Sequence, residues 1–154
     1  MVTIRKAGPE HIERVRACAR AAYAKYVVPI GREPAPMIAD FARQIADGIV
    51  DIAVDPGEQV VGFLVCYPRN GHLHVENLAV LPAAQGRGVG ARLLAHSEMR
   101  AREHGLNAIA LYTNVTMSKA LSFYPACGFA EIDRRHEDGF DRVYFRKALS
   151  GGHG

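Results

Sequence analysis

The sequence predicts an α/β fold: one domain built on a central mixed, mostly antiparallel sheet flanked by helices. Strand-like runs of β-branched and aromatic residues are interleaved with helical patterns along the chain. Three such runs, 49–54, 60–67 and 72–80, follow one another across the turn signals Asp55-Pro56-Gly57 and Arg69-Asn70-Gly71, which reads as an antiparallel meander. A glycine-rich loop then ends the last strand and opens a helix.

Residues 2–6 (VTIRK) alternate as a short strand, and Gly8-Pro9 breaks it. Pro9 suits the first turn of a helix, and Glu10 and Glu13 suit its positive end. Ile12, Val15, Ala19, Ala22 and Tyr26 keep helical spacing, so a helix is expected over 9–26. VVPIGREPAPM, with three prolines and a glycine, reads as an irregular, lid-like loop rather than a helix interior. A shorter helix is expected from Pro36 to Ala46, stopping near Gly48. Beyond the meander, 88–104 is helical with Gly105 as its stop. A strand (107–112), a helix (116–125) and two strands (128–134 and 140–146) around Glu137-Asp138-Gly139 complete the order. No repeat or linker divides residues 1–149, and the tail SGGHG, 150–154, is expected to be disordered.

Composition narrows the function. The 154 residues suffice for one core, and 49% hydrophobic with 23% charged residues is ordinary for a globular protein. The net charge of +3 is spread rather than gathered into a basic stripe, which argues against nucleic acid as a partner. Cys18, Cys66 and Cys127 are odd in number and far apart, as in a reducing compartment. The N-terminus carries no apolar signal core, and no stretch approaches a membrane span. A cytoplasmic protein with no membrane partner is the expectation.

The loop Gln85-Gly86-Arg87-Gly88-Val89-Gly90 holds three glycines in five positions. It admits four readings. It can be a ligand-free connection. As a dinucleotide fingerprint, Gly86-x-Gly88-x-x-Ala91 fits, but the next strand, NAIALYTN, lacks the acid that reading requires. As a Walker loop it fails, because Gly90 is followed by Ala91-Arg92 rather than Lys-Ser/Thr. As a diphosphate cradle it fits: the first amides of a helix have no internal acceptor, the dipole there is positive, and Arg87 and Arg92 can add charge.

At this point the residues resemble a family. Gln85 to Gly90 is similar to the Q/R-x-x-G-x-G/A signature of the GNAT acetyltransferases, and Leu78-Ala79-Val80-x-Pro82 resembles the strand end before it. Downstream, Ala120-x-x-Phe123-Tyr124-x-x-x-Gly128-Phe129 resembles the family's A-x-x-h-Y-x-x-x-G-F segment, where h is hydrophobic. The order of elements matches over nearly the whole chain. The resemblance implies a GNAT-like acyl-CoA N-acyltransferase fold and an acetyl-CoA-dependent N-acetyltransferase acting on a primary amine of a small molecule, peptide or protein.

It also implies roles. The amides of Gln85, Gly86, Arg87, Gly88, Val89 and Gly90, with Ala91 adjacent, would bind the pyrophosphate of acetyl-CoA. The backbone of Leu78, Ala79 and Val80 would pair with the pantetheine arm on a strand splayed by a bulge. Tyr124 would protonate the departing thiolate; the alternative is a core aromatic beside Phe123 and Phe129.

An alkyl amine near pKa ~10.4 must lose a proton before it attacks. Glu76, on the strand leading to Leu78, is the candidate base; His74, two residues back on the same face, is its rival. His72, His74 and Glu76 lack a fourth ligand, so no metal is expected. Two positions depart from the family pattern. Met117 stands seven positions before the tyrosine, where many members carry asparagine, while Asn114 ends a strand nearby and can supply a comparable hydrogen bond. Pro125 follows Tyr124 directly, so the helix is expected to end at the tyrosine.

The acceptor is expected near Tyr23 to Met37, where Glu33, Lys25 and Arg32 name no single chemistry. Cys127 is close to Tyr124, but no histidine stands near it in sequence, which favours direct attack in a ternary complex over an acyl-enzyme. The competing class is a non-catalytic acyl-CoA sensor. A homodimer is compatible with the resemblance, though no residue here requires one.

Overall fold

The computed structural model describes residues 1–149; the tail 150–154 lies outside the described residues. Its seven strands form one sheet in the order β1-β2-β3-β4-β5-β7-β6. These are β1 (Thr3–Lys6), β2 (Val50–Val54), β3 (Val60–Arg69), β4 (His72–Val80), β5 (Ala108–Asn114), β6 (Ala130–Glu137) and β7 (Phe140–Ala148). The helices are α1 (Ile12–Tyr23), α2 (Val27–Ile30), α3 (Phe41–Ala46), α4 (Val89–Glu103) and α5 (Ser118–Ala126). The mixed α/β expectation therefore holds. The chain divides into two compact units, Met1–Cys66 with Glu76–His96, and Tyr67–Val75 with Ser97 onward.

In the first unit, β1, β2 and β3 pair antiparallel, with a register shift at Ala53/Val54. Helix α1 buries Val15, Cys18, Ala19 and Ala22, one stripe at helical spacing. Phe41 of α3 meets Phe63 of β3 edge to face at 5.4 Å, and Ile52, Leu64 and Leu93 are fully buried. Gly62 is where β3 must lack a side chain. A Cβ there would lie 2.9 Å from the Ala79 carbonyl and 3.1 Å from Leu93 Cδ1, so the glycine lets α4 settle on the strands.

The N-terminal helical run differs from expectation. A 3-10 turn (Pro9–His11) precedes α1, its start closed by the Gly8 amide donating to His11 Nδ1 at 2.9 Å. After α1, a 3-10 turn (Ala24–Tyr26) leads into α2, so VVPI is helical rather than irregular. Pro29 is tolerated because it sits in the first turn of α2, where its missing amide would have had no intrahelical acceptor. The helix expected over 36–46 begins only at Phe41, because the Asp40 carboxylate accepts from the Arg43 amide at 3.1 Å and starts a new helix there.

In the second unit, β4 pairs in parallel with β5 through Leu73↔Ile109 and His74↔Ala110. Strand β7 inserts antiparallel between β5 and β6. The turn Asp138-Gly139 takes left-handed φ of 54° and 79°, as Asn70-Gly71 does at 51° and 82°, which matches the twist of a hairpin. The edge strand β6 is exposed and carries the ion pairs Arg134–Glu131 and Arg135–Asp133, charges that discourage edge-to-edge association.

Candidate active site

The loop after β4 is built by three devices. Leu81 donates to the Val61 carbonyl at 2.8 Å, which keeps the chain on β3 to the end of the strand. A 3-10 turn (Pro82–Ala84) then leads to Gln85. Gly86 and Gly88 adopt φ of 79° and 80°, the left-handed region that favours glycine, and α4 starts at Val89. A Cβ at Gly86 or Gly88 would meet nothing within 4 Å, so the protein itself does not fill the space above them. The first amide bond inside α4 is Arg92 to the Gly88 carbonyl, 3.0 Å, which leaves the preceding amides of the turn without an intrahelical acceptor. A loop of this shape at the positive end of a 15-residue helix suits an anion. Gly90 and Ala91 lie inside α4. Arg92 differs from expectation: its guanidinium donates to the Val2 carbonyl at 2.6 Å, binding α4 to the N-terminal segment, while Arg87 is exposed.

The end of β4 presents two carbonyls in a row. Leu78 accepts from the Tyr23 hydroxyl at 3.3 Å and Val80 accepts from Gln85 Nε2 at 3.2 Å. Residues two apart on a strand face their backbone groups to the same edge, and Leu81 bonds towards β3. The Leu78 and Val80 carbonyls thus lie on the other edge, held by side chains rather than by a strand.

Glu76 is exposed, and its carboxylate accepts from Gln44 Nε2 at 2.6 Å. Asn77, next to it, is buried: Oδ1 accepts from the Tyr23 hydroxyl at 2.6 Å and Nδ2 donates to the Pro36 carbonyl at 2.8 Å. His74 is buried among rings, 5.5 Å from Tyr67, 6.4 Å from His72 and 5.9 Å from Tyr112 between centroids. Burial and Arg146 hold the His72 imidazole below its ordinary range.

In the second unit, Tyr124 is buried and packs on Phe123, Phe129 and Phe145 at 5.3, 5.8 and 5.6 Å. Burial, with Cys127 adding to it, pushes its phenol above the ordinary value, so the hydroxyl keeps its proton at neutral pH. The helix does not end at Tyr124: α5 runs on through Pro125 to Ala126. In the last turn a proline costs one internal bond, and the end is closed instead by Cys127 donating to the Phe123 carbonyl at 3.1 Å, Gly128 to Pro125 at 3.0 Å and Phe129 to Tyr124 at 3.0 Å. Lys147 Nζ reaches the Cys127 carbonyl at 2.9 Å and Glu98 at 3.1 Å, a cation on the negative end of α5. Burial raises the Cys127 thiol above its ordinary value, the opposite of an activated nucleophile. Asn114 Oδ1 accepts from the Thr116 amide at 2.9 Å and the Thr116 hydroxyl at 2.8 Å, so that oxygen serves the turn before α5. Met117 is buried, with Thr113 Oγ1 3.4 Å from its sulfur.

The Acetyltransferase (GNAT) family model matches residues 15–129, from α1 through the Tyr124 motif. The chain belongs to the GNAT family.

A mycothiol acetyltransferase of Arthrobacter sp. (strain FB24) is 31% identical over 107 residues, 61% of this chain and 32% of that protein. An aminoglycoside N(6')-acetyltransferase type 1 of Stenotrophomonas maltophilia is 31% identical over 113 residues, 68% of this chain and 69% of that protein. The chain spans about a third of the length of the mycothiol acetyltransferases that it matches. The PaiA N-acetyltransferase of Thermoplasma acidophilum, solved with coenzyme A, superposes with a TM-score of 0.80 at 18% identity, over 97% of this chain and 99% of that one. At that identity the likeness is one of fold, and it agrees with the seven-stranded sheet. No helix among the described residues is long and apolar enough to cross a membrane.

For this GNAT chain, the sequence motifs omit Asn77, Gln44 and Lys147. Asn77 left a signal: alternation along VENLAV puts it on the face of Val75 and Ala79, and a polar residue on a buried face needs partners. Those partners, at Tyr23 and Pro36, lie 54 and 41 residues away, beyond any local pattern.

Proposed function

We propose that the chain is an acetyl-CoA-dependent N-acetyltransferase that moves the acetyl group to a primary amine by direct attack in a ternary complex. The observation that carries this reading is the open, left-handed loop at Gly86 and Gly88 on the amino end of α4, in a chain of the GNAT family. In this reading the amides of Gln85 to Gly90, with Ala91 adjacent, take the pyrophosphate. Leu78, Ala79 and Val80 take the amide-rich pantetheine arm, whose N–H groups would replace the Tyr23 and Gln85 donors at the Leu78 and Val80 carbonyls. Asn114 contributes through its side-chain NH2, since its oxygen is engaged in the turn.

Glu76 takes a proton from the acceptor ammonium, directly or through water. The free amine attacks the acetyl carbonyl, a C–N bond forms, and the C–S bond breaks. The thiolate takes a proton from the Tyr124 hydroxyl, and the amide nitrogen's surplus proton and the proton held by Glu76 leave to solvent, from which Tyr124 is restored. The Tyr124 phenol is protonated at neutral pH, and burial, which makes it a weaker acid, means the transfer depends on a site closed to water. Relatives named as an aminoglycoside N(6')-acetyltransferase and an aminoalkylphosphonate N-acetyltransferase support an amine acceptor and leave its identity open.

Calorimetric titration with acetyl-CoA, with NAD and ATP as controls, tests the cradle. Saturable binding of acetyl-CoA alone supports it, and a screen of primary amines for CoA release follows. Absence of acetyl-CoA binding would overturn the reading.

A further inference from the structure

The segment from Ala24 to Ala35 joins α1 to the turn before α3, and within it only Pro34 is buried. Its own packing is therefore thin. Both of its stems, however, are tied to one buried amide. Tyr23, the last residue of α1, donates to Asn77 Oδ1 at 2.6 Å, and Asn77 Nδ2 donates to the carbonyl of Pro36 at 2.8 Å. The partners dictate the amide's orientation. The Pro36 carbonyl can only accept, so the NH2 faces it and Oδ1 is left for the phenol. Asn77 is 3% exposed and Tyr23 8%, so the bond between them is shielded from bulk water, while the bond to the Pro36 carbonyl is part-buried.

We infer that Asn77 is a positioning residue that staples both stems of segment 24–35 to β4 and thereby sets where the acceptor amine is presented. The acceptor consequence rests on the acetyltransferase reading, in which the stretch Tyr23 to Met37 faces the acceptor. Asn77 is also the residue between Glu76 and Leu78 on β4. One strand would thus carry, at consecutive positions, the proposed base, the staple and a proposed pantetheine carbonyl. A segment with little buried surface opens more readily when the bonds at its stems fail. Two substitutions separate the stems. Asn77→Asp keeps the shape and the bond from Tyr23 but faces the Pro36 carbonyl with a second acceptor. Tyr23→Phe keeps the ring and removes the donor to Asn77 Oδ1 and to the Leu78 carbonyl.

The test combines hydrogen exchange on the free, full chain with steady-state kinetics on a panel of primary alkylamines. In each variant, amides of 24–35 should exchange at least about tenfold faster, while those of 89–96 in α4 keep their native rates. The KM for the amine that the native chain acetylates fastest should rise about tenfold or more, with the KM for acetyl-CoA within about twofold. Native exchange in 24–35 in both variants would overturn the staple. An equal rise in both KM values would overturn its acceptor role and leave general stability as its part. A native chain that acetylates none of the amines and does not bind acetyl-CoA would overturn the acetyltransferase reading and the acceptor role, while the exchange data still decide the staple. Should Asn77→Asp fail to fold, Tyr23→Phe alone decides each outcome.

Discussion

Gln44 donates to the carboxylate of Glu76 across 2.6 Å, from α3 to β4. Gln44 Oε1 is buried with no hydrogen-bond partner among the described residues. The reversed amide would set that oxygen against a carboxylate oxygen, so the negative charge of Glu76 explains why the amide points as it does. Glu76 is thus oriented by a neighbour yet exposed, as a group must be to trade protons with substrate and solvent.

Substitution of Glu76 tests the proton transfer. Glu76→Gln should lower kcat about 100-fold near neutral pH, with a rate that climbs more steeply with pH as free amine becomes available without the base. The check is kcat/KM against pH for both chains. An unchanged profile would take Glu76 out of the role and move attention to His74.

Tyr124→Phe should lower kcat about 100-fold and leave acetyl-CoA affinity within about twofold, because the ring's contacts with Phe123, Phe129 and Phe145 remain. Calorimetry and turnover on the same preparation measure both. A variant with native turnover would make Tyr124 a core aromatic only. A native protein that binds acetyl-CoA without any turnover would be the sensor.

The glycine loop separates backbone strain from ligand contact. Gly88→Ala places a side chain at φ of 80° in open space, so stability should fall by only about 1–2 kcal/mol. The acetyl-CoA dissociation constant should rise well beyond what that strain accounts for, because the methyl group occupies the proposed diphosphate position. Gly62→Ala should do the reverse. It would destabilise the fold by about 1–3 kcal/mol by crowding the Ala79 carbonyl and Leu93. Urea denaturation beside calorimetry distinguishes the two, and equal loss of affinity in both variants would refute the cradle.

Cys18 predicts the alkaline behaviour of stability. Burial pushes its thiol from 9.0 up to about 12. Below pH 9 the thiol is protonated in both folded and unfolded chains and adds no pH dependence. Between pH 9 and 12 the unfolded chain binds fewer protons, so stability falls as pH rises, by about 1.4 kcal/mol per pH unit. Cys18→Ala should be less stable at neutral pH but lose stability more slowly between pH 9 and 10.5. Denaturation midpoints over that range are the check, and parallel slopes would contradict the account.

Much of the architecture is readable from residues near one another in the chain. Asn70-Gly71 and Asp138-Gly139 announce their hairpins because few other residues accept left-handed φ at both positions. The Gly86 and Gly88 loop, the start of α4 and the Tyr124 motif are local patterns too, and they sufficed to point to the family. Asp40 and Pro29 were also local, but each needed its position within a turn to be known: one opens a helix, and the other sits harmlessly in a first turn.

Tertiary structure alone decided what depends on distant partners. The place of β7 between β5 and β6 follows from pairing β5 with β7, residues 28 (Asn114↔Arg142) to 40 (Ala108↔Ala148) positions apart in register, and no turn signal encodes that choice. Arg92 looked free to meet an anion until the Val2 carbonyl, 90 residues away, claimed it. Asn77 holds Tyr23 and Pro36 for the same reason: a buried polar group must find partners wherever packing brings them. Periodicity, turn chemistry and glycine conformation act over a few residues and survive in the sequence. Strand order and polar pairing are set by which surfaces leave water together, and that exists only once the chain has folded.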